Sequence, residues 1–126
     1  MIVGEVNAQL ESVIPLTLLA ANGKAFTMSA VVDTGFAGTL ILPFSVCAAM
    51  GYEHLGMGYL TLADGSEVGS KLHAATVLWD DQPREIEADS LDGETFVGVL
   101  LMKGYRLCTA LEVGGAVTLE PLPTKS

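Results

Sequence analysis

A short acidic turn between two apolar runs limits what this chain can fold into more than any other feature of the sequence. Ala30-Val31-Val32 leads into Asp33-Thr34-Gly35, and Thr39-Leu40-Ile41-Leu42 resumes the apolar pattern almost at once. Aliphatic and β-branched runs favour strands, whereas Asp and Gly favour turns. Two strands joined in this way would hold the Asp33 carboxylate at the bottom of a cleft. In the alternative interpretation, Asp33 is an ordinary turn residue.

The rest of the chain has the composition of a small β-domain. Half of its 126 residues are hydrophobic, and it contains 14 Gly and 5 Pro, which favours short strands and tight turns over a helical bundle. Hairpin signals occur at Asn22-Gly23, Asp64-Gly65 and Gly114-Gly115. The sequence therefore predicts one all-β domain over residues 1–126, a small closed antiparallel β-barrel, with residues 121–126 as a frayed tail.

Two short helices and one loop are expected between the strands. Pro43 suits the first turn of a helix that Gly51 ends, and residues 99–103 are expected to form a helical turn. Residues 52–58 are predicted to be a loop. The Asp64-Gly65 pair predicts a type I′ turn, in which both central residues have positive φ.

Charge and cysteine content limit the partners and the location of the protein. The net charge of −9 argues against nucleic acid, because phosphate binding needs a basic surface. The apolar run of residues 13–21 is broken by Pro15 and is too short to span a bilayer. Without a secretory signal, Cys47 and Cys108 are expected to be reduced thiols, with a disulfide as the alternative. We therefore expect a cytoplasmic protein that binds neither nucleic acid nor membrane.

The acidic turn and its flanks resemble the active-site loop of the retropepsin-like aspartic proteases. A second signature of that family, two apolar residues followed by Gly and a helical turn, is similar to Phe96-Val97-Gly98-Val99-Leu100-Leu101. Phe36 stands where many members have Ala, and this Asp-Thr-Gly-Phe form resembles a prokaryotic branch. Many relatives carry Asp or Asn near Leu100, so the chain departs from the family pattern there.

The resemblance implies an all-β barrel of the retropepsin type with the activity of an aspartic endopeptidase. It makes Asp33 the catalytic residue and lets Thr34 bond across a two-fold axis. Gly35 would let the loop pass close to the catalytic centre, and Gly98 would make room for a strand crossing beneath that loop. The resemblance also implies a flap that closes over bound peptide and includes Leu62, Ala63, Asp64 and Gly65. It implies neither a metal nor an organic cofactor.

Aspartic proteolysis needs two carboxylates that share one proton, and this chain contains one Asp-Thr-Gly. Asp64, Asp89 and Asp92 lack the apolar strand context of Asp33. The expected active species is therefore a symmetric homodimer that cleaves an extended peptide or protein substrate. Two alternatives remain open at this point. One is a non-catalytic peptide-binding dimer of the same fold, and the other is a monomeric β-barrel binding module.

Overall fold

The computed structural model describes residues 1–124 and consists mainly of strands. Two short helices are present, α1 (Phe44–Met50) and α2 (Val99–Met102). The strands are β1 (Ile2–Val6), β2 (Ser12–Leu19), β3 (Ala25–Val32), β4 (Leu40–Leu42), β5 (His54–Thr61), β6 (Glu67–Trp79), β7 (Gln82–Ser90), β8 (Phe96–Val97), β9 (Tyr105–Thr109) and β10 (Ala116–Pro121).

The strands enclose an aliphatic core. In β2, Ile14, Leu16 and Leu18 are buried at every second position, as expected for a strand with one face toward the core. Leu40 and Leu42 enter the same core from β4, on the far side of the acidic turn. Both strands that flank the turn are therefore fixed by buried side chains.

Ten strands form one sheet in the order β5-β6-β7-β4-β8-β3-β2-β1-β10-β9, and β2 pairs with β6 as well. The expected wholly antiparallel sheet is wrong, because β3 pairs with β8 and β4 pairs with β7 in parallel. The first of these pairings results from the insertion of β8 between β3 and β4, which run in opposite directions on its two sides. One of the two pairings of β8 therefore has to be parallel. Closure of the sheet into a barrel stays a prediction.

The segment after the acidic turn differs in part from its prediction. Helix α1 is confirmed: it begins after Pro43 and ends at Gly51, whose φ is +70°. The loop predicted for residues 52–58 is wrong, because β5 begins at His54 and pairs with β6 across an irregularity at Gly56. Pairing with the long strand β6 supplies the backbone hydrogen bonds for a segment whose glycines argue against a strand.

The turn between β6 and β7 has positive φ angles at both of its central residues. Asp80 and Asp81 have φ values of +52° and +67°, between the paired residues Trp79 and Gln82. The Asp80 carboxylate accepts hydrogen bonds from the Met1 ammonium at 2.7 Å and from the Tyr105 hydroxyl at 3.1 Å. These contacts join the turn to the N-terminus and to β9.

At the end of the chain, the prediction of a frayed tail from residue 121 is wrong for Pro121 and Leu122. Pro121 belongs to β10, and the Leu122 N–H donates a hydrogen bond to the Gly104 carbonyl. Residues 125–126 of that tail lie outside the described residues. Within residues 1–124, no helix has the length and apolar character needed to cross a membrane.

Candidate active site

Asp33 lies directly after β3, where two backbone hydrogen bonds tie the chain to β8. The Val31 N–H donates to the Thr95 carbonyl and the Asp33 N–H donates to the Val97 carbonyl, both at 2.9 Å. The apolar residues before Asp33 therefore do more than fill the core. They place the acid at the end of a strand that is paired on both sides.

The Asp33 side chain is half-buried and is held by its own loop. Its Oδ1 atom accepts a hydrogen bond from the Gly35 N–H at 2.9 Å, an Asx-turn, and the Phe36 N–H donates to the Asp33 carbonyl at 3.2 Å. A Cβ atom at Gly35 would lie 3.3 Å from Oδ1. Thr34 and Gly35 are exposed. The loop thus fixes the carboxylate while leaving it accessible from one side.

Gly98 packs directly against this loop. Its N–H donates to the Thr39 carbonyl at 3.0 Å, and a Cβ atom at Gly98 would overlap the carbonyl oxygen of Gly38. That oxygen also accepts a hydrogen bond from the Leu100 N–H at 3.1 Å, so it cannot move away freely. The loop and the start of α2 therefore cross at a distance that only glycine allows.

Phe36 and Gly38 support the loop, a role that was not predicted from the sequence. A Cβ atom at Gly38 would lie 2.5 Å from the Phe36 ring, and one at Gly98 would lie 2.6 Å from it. Phe36 also accepts a hydrogen bond from the Val99 N–H at 3.0 Å through its carbonyl. The ring therefore covers both glycines of the crossing. The feature of the sequence that could have indicated this support was Gly38, the second glycine of the loop, three residues after Gly35.

The hairpin predicted to be the flap is present, but its turn differs from the prediction. The Leu62 N–H donates to the Ser66 carbonyl at 2.8 Å, and the Gly65 N–H donates to the Leu62 carbonyl at 2.9 Å. Gly65 has a φ of +85°, whereas Asp64 does not have a positive φ. The type I′ turn is therefore wrong: the loop has three residues, with a type I turn and glycine at its last position.

The Asp64 side chain explains the change of turn. Its Oδ1 atom accepts hydrogen bonds from the Ser66 hydroxyl at 2.6 Å and from the Ser66 N–H at 2.9 Å. These bonds lower the pKa of the Asp64 carboxyl below its ordinary value. They also favour a longer loop, because the acceptor reaches the residue two positions ahead.

The hairpin carries an exposed apolar row. Leu55, Met57 and Tyr59 alternate along one face of β5, and Leu62 is exposed at the tip. Tyr59 is 73% exposed. Contiguous exposed apolar side chains on a small protein mark a surface that another molecule covers.

The predicted site residues fall into two groups. One group lies together at the loop crossing, and the other lies at the hairpin tip. Asp33, Thr34, Gly35 and Gly98 lie around one loop crossing. Within residues 1–124, no hydrogen bond joins that crossing to the hairpin tip, residues 62–65.

The three acids that the sequence offered as partners for Asp33 do not complete the site. The Asp89 carboxylate accepts a hydrogen bond from the Ser70 hydroxyl at 2.6 Å, Asp64 is bonded to Ser66, and Asp92 is exposed in the turn after β7. Among the described residues, none of these acids is hydrogen-bonded to Asp33. The loop therefore presents a single carboxylate.

No family model matches the sequence, and no curated protein matches it. Among solved structures, the chain is similar to a retropepsin-like aspartic protease from Rickettsia conorii. The match has a TM-score of 0.52 and 14% sequence identity, and it covers 96% of this chain and 90% of that protein. At this identity the likeness shows the fold, which is retropepsin-like over nearly the whole chain.

Proposed function

We propose that this chain is an aspartic endopeptidase that acts as a symmetric homodimer, with one Asp33 from each copy. The observation that carries the proposal is the loop crossing: an accessible carboxylate held by backbone hydrogen bonds and supported from beneath by Gly98. A turn residue without a function would not need this support. The retropepsin-like fold adds to the argument, because the crossing lies in a chain of the matching architecture.

The chemistry follows from two carboxylates that share one proton. Two negative charges about 3 Å apart repel strongly, so one member of the pair keeps its proton. The ionised carboxylate takes a proton from a bound water as that water attacks the scissile carbonyl carbon. The protonated carboxyl donates its hydrogen bond to the carbonyl oxygen, and the C–N bond then breaks as the leaving nitrogen gains a proton.

The surface around Asp33 supports the docking of a second copy. The Thr34 side chain is exposed, and its hydroxyl has no hydrogen-bond partner among residues 1–124. Val99 and Leu100 are 39% and 54% exposed, next to the same loop. A second copy would cover these apolar side chains and offer the Thr34 hydroxyl a partner across the axis.

Substrate binding would use the sheet and the hairpin together. An extended peptide can add to a sheet by backbone hydrogen bonds, while its side chains enter pockets on alternate sides. The exposed row of Leu55, Met57 and Tyr59 supports a role for the hairpin as a flap over that peptide. The proposal needs no metal or cofactor for the reaction.

A reducing, cytoplasmic location is part of the same proposal. Cys47 and Cys108 are free thiols, the first buried and the second exposed. Burial raises the pKa of the Cys47 thiol, which keeps it protonated and unreactive. An exposed free thiol such as that of Cys108 suits a compartment in which disulfides do not form.

Dilution tests both the activity and the assembly. We expect a mixed peptide pool to be cleaved at a rate that falls with the square of the protein concentration once dimers dissociate. The reason is that each active site needs two copies of Asp33. Light scattering at the same concentrations reports the fraction of dimer. A cleavage rate that stays proportional to protein where scattering shows only monomer would contradict the dimer.

The flap is tested by two matched glycines. Gly65 and Gly23 both have φ of +85°, both end three-residue hairpin loops, and a Cβ atom at either position would meet no heavy atom within 4 Å. Valine at either position forces an unfavourable backbone conformation at a cost of roughly 1–2 kcal/mol. We expect Gly65→Val and Gly23→Val to lower the melting temperature by similar amounts.

Peptide cleavage should separate these two variants. Gly65→Val should lower kcat/KM by about tenfold, equivalent to about 1.4 kcal/mol, because a distorted tip closes poorly over the substrate. Gly23→Val should leave cleavage nearly unchanged. Equal kinetics for the two variants would make the hairpin of β5 and β6 a structural element only.

A further inference from the structure

A groove crosses the outer face of β1, β2 and β3. One cavity of about 720 Å³ is lined by residues that include Glu5, Val31 and Glu94. A second cavity of about 540 Å³ shares Glu5 and Ser29 with the first and continues along the same strands. We call the two cavities together the acidic groove. Its size is that of a pocket that binds a small ligand or several peptide side chains.

The carboxylates of the acidic groove, Glu5 and Glu94, form no ion pair within residues 1–124. The ion pairs within residues 1–124 are Met1 with Asp80 and Arg106 with Glu120. Glu5 and Glu94 are therefore both unpaired in the described part of the chain. Both line one concave surface on a protein of net charge −9, which attracts a cation and repels an acid.

The remaining walls of the acidic groove are largely apolar. Val13, Val31 and Val113 are among the residues that line it. A Lys or Arg side chain has an aliphatic stem and a charged head, so it can place the stem on such walls and the head at a carboxylate. Arg suits either carboxylate best, because its planar guanidinium donates several hydrogen bonds to carboxylate oxygens.

The acidic groove lies beside Asp33 on the same strand. Val31 and Asp33 are two positions apart in an extended chain, so their side chains point to the same side and lie roughly 7 Å apart along the strand. The hydrogen bond from the Val31 N–H to the Thr95 carbonyl brings Glu94, the neighbour of Thr95, to the same place. A peptide that crosses Asp33 in extended form therefore carries a nearby side chain into the groove.

From this placement we infer that the acidic groove binds a cationic side chain of the peptide, Arg or Lys, close to the bond that is cut. The inference rests on the proposed endopeptidase function for the presence of a peptide at Asp33. Binding can nevertheless be measured without cleavage. The two proposals can therefore fail separately.

The test uses the full chain with Asp33→Asn and two sets of octapeptides built from Ala and Val. One set carries a single Arg at each position in turn, and the other carries citrulline, which has the same shape without the charge. Fluorescence anisotropy measures Kd for each peptide. We expect Arg to bind about tenfold more tightly than citrulline at one position or more, since a hydrogen bond to a charged group contributes that much.

Further variants assign the preference to the groove. Adding Glu5→Gln and Glu94→Gln should bring the Arg-to-citrulline ratio close to one. Adding Glu85→Gln and Glu87→Gln, two exposed acids of β7 outside the groove, changes the net charge equally and should leave the ratio unchanged. Melting temperatures confirm that each variant is folded.

The inference is overturned if no Arg peptide binds, if Arg and citrulline bind equally at every position, or if the β7 variant lowers the ratio as much as the groove variant. The endopeptidase proposal has its own outcome. If the wild-type chain cleaves no peptide but prefers Arg, the endopeptidase proposal is contradicted and the inference about the acidic groove stands. If the chain cleaves peptides without an Arg preference, the endopeptidase proposal stands and the inference about the acidic groove is contradicted.

Discussion

Asp33→Asn is expected to abolish peptide cleavage and leave the fold intact. Asparagine cannot take a proton from water, and loss of a general base costs about 10³-fold in rate. The fold should survive because, among residues 1–124, the Asp33 side chain takes part in one hydrogen bond, from the Gly35 N–H to Oδ1. The amide oxygen of Asn can accept the same bond. The measurements are cleavage of a mixed peptide pool and thermal unfolding.

The same variant should form a dimer at least as stable as that of the wild type at neutral pH. Two ionised carboxylates at the axis repel, and Asn removes that repulsion.

Asp92→Asn is the control for this experiment, because Asp92 is an exposed turn acid outside the loop crossing. It should cleave as the wild type does. An Asp33→Asn protein that also cleaves as the wild type does would end the protease proposal.

Gly98→Val is expected to lower stability by about 3 kcal/mol, the upper part of the usual range for overpacking. The new side chain would meet the Gly38 carbonyl and the Phe36 ring. Moving that carbonyl would break its hydrogen bond from the Leu100 N–H. For a domain of this size the loss corresponds to roughly 10 °C in melting temperature. Calorimetry or circular dichroism measures it.

Gly69→Val provides the matched comparison. Gly69 is an exposed strand residue without a positive φ, and the nearest atom to a Cβ there is 4.0 Å away, in the Met57 side chain. This variant should melt within a few degrees of the wild type. If both valines are tolerated equally, the close crossing beneath the Asp33 loop does not constrain the protein.

Local patterns were enough to predict much of the fold. The alternation in β2 and the Pro43 and Gly51 boundaries of α1 follow from a residue's own preferences and immediate neighbours, and both appear in the structure. The sequence also placed Asp33 at the end of a strand. Each of these features is decided within a few residues along the chain.

Features that depend on distant partners could not be predicted in the same way. Strand β5 contains Gly56 and Gly58, and it is a strand because β6 lies beside it. The two residues of β8 are too few to show a periodicity, although they form the parallel pairing with β3 and lead into the crossing at Gly98. The turn at Asp64 differs from its prediction for a local reason: the hydrogen bond from Ser66 to the Asp64 side chain competes with the backbone preference of an Asp-Gly pair.

The position of β8 also determines when the site can form during folding. Its partners β3 and β4 lie in the first third of the chain, whereas β8 lies in the last third. Contacts between such distant segments are made late, because a long loop has to close before they gain any stabilisation. A nascent or truncated chain that lacks β8 has the Asp33 sequence without the strand that holds it. The supported form of the Asp33 loop can therefore arise only after β8 has been synthesised and has paired with β3 and β4.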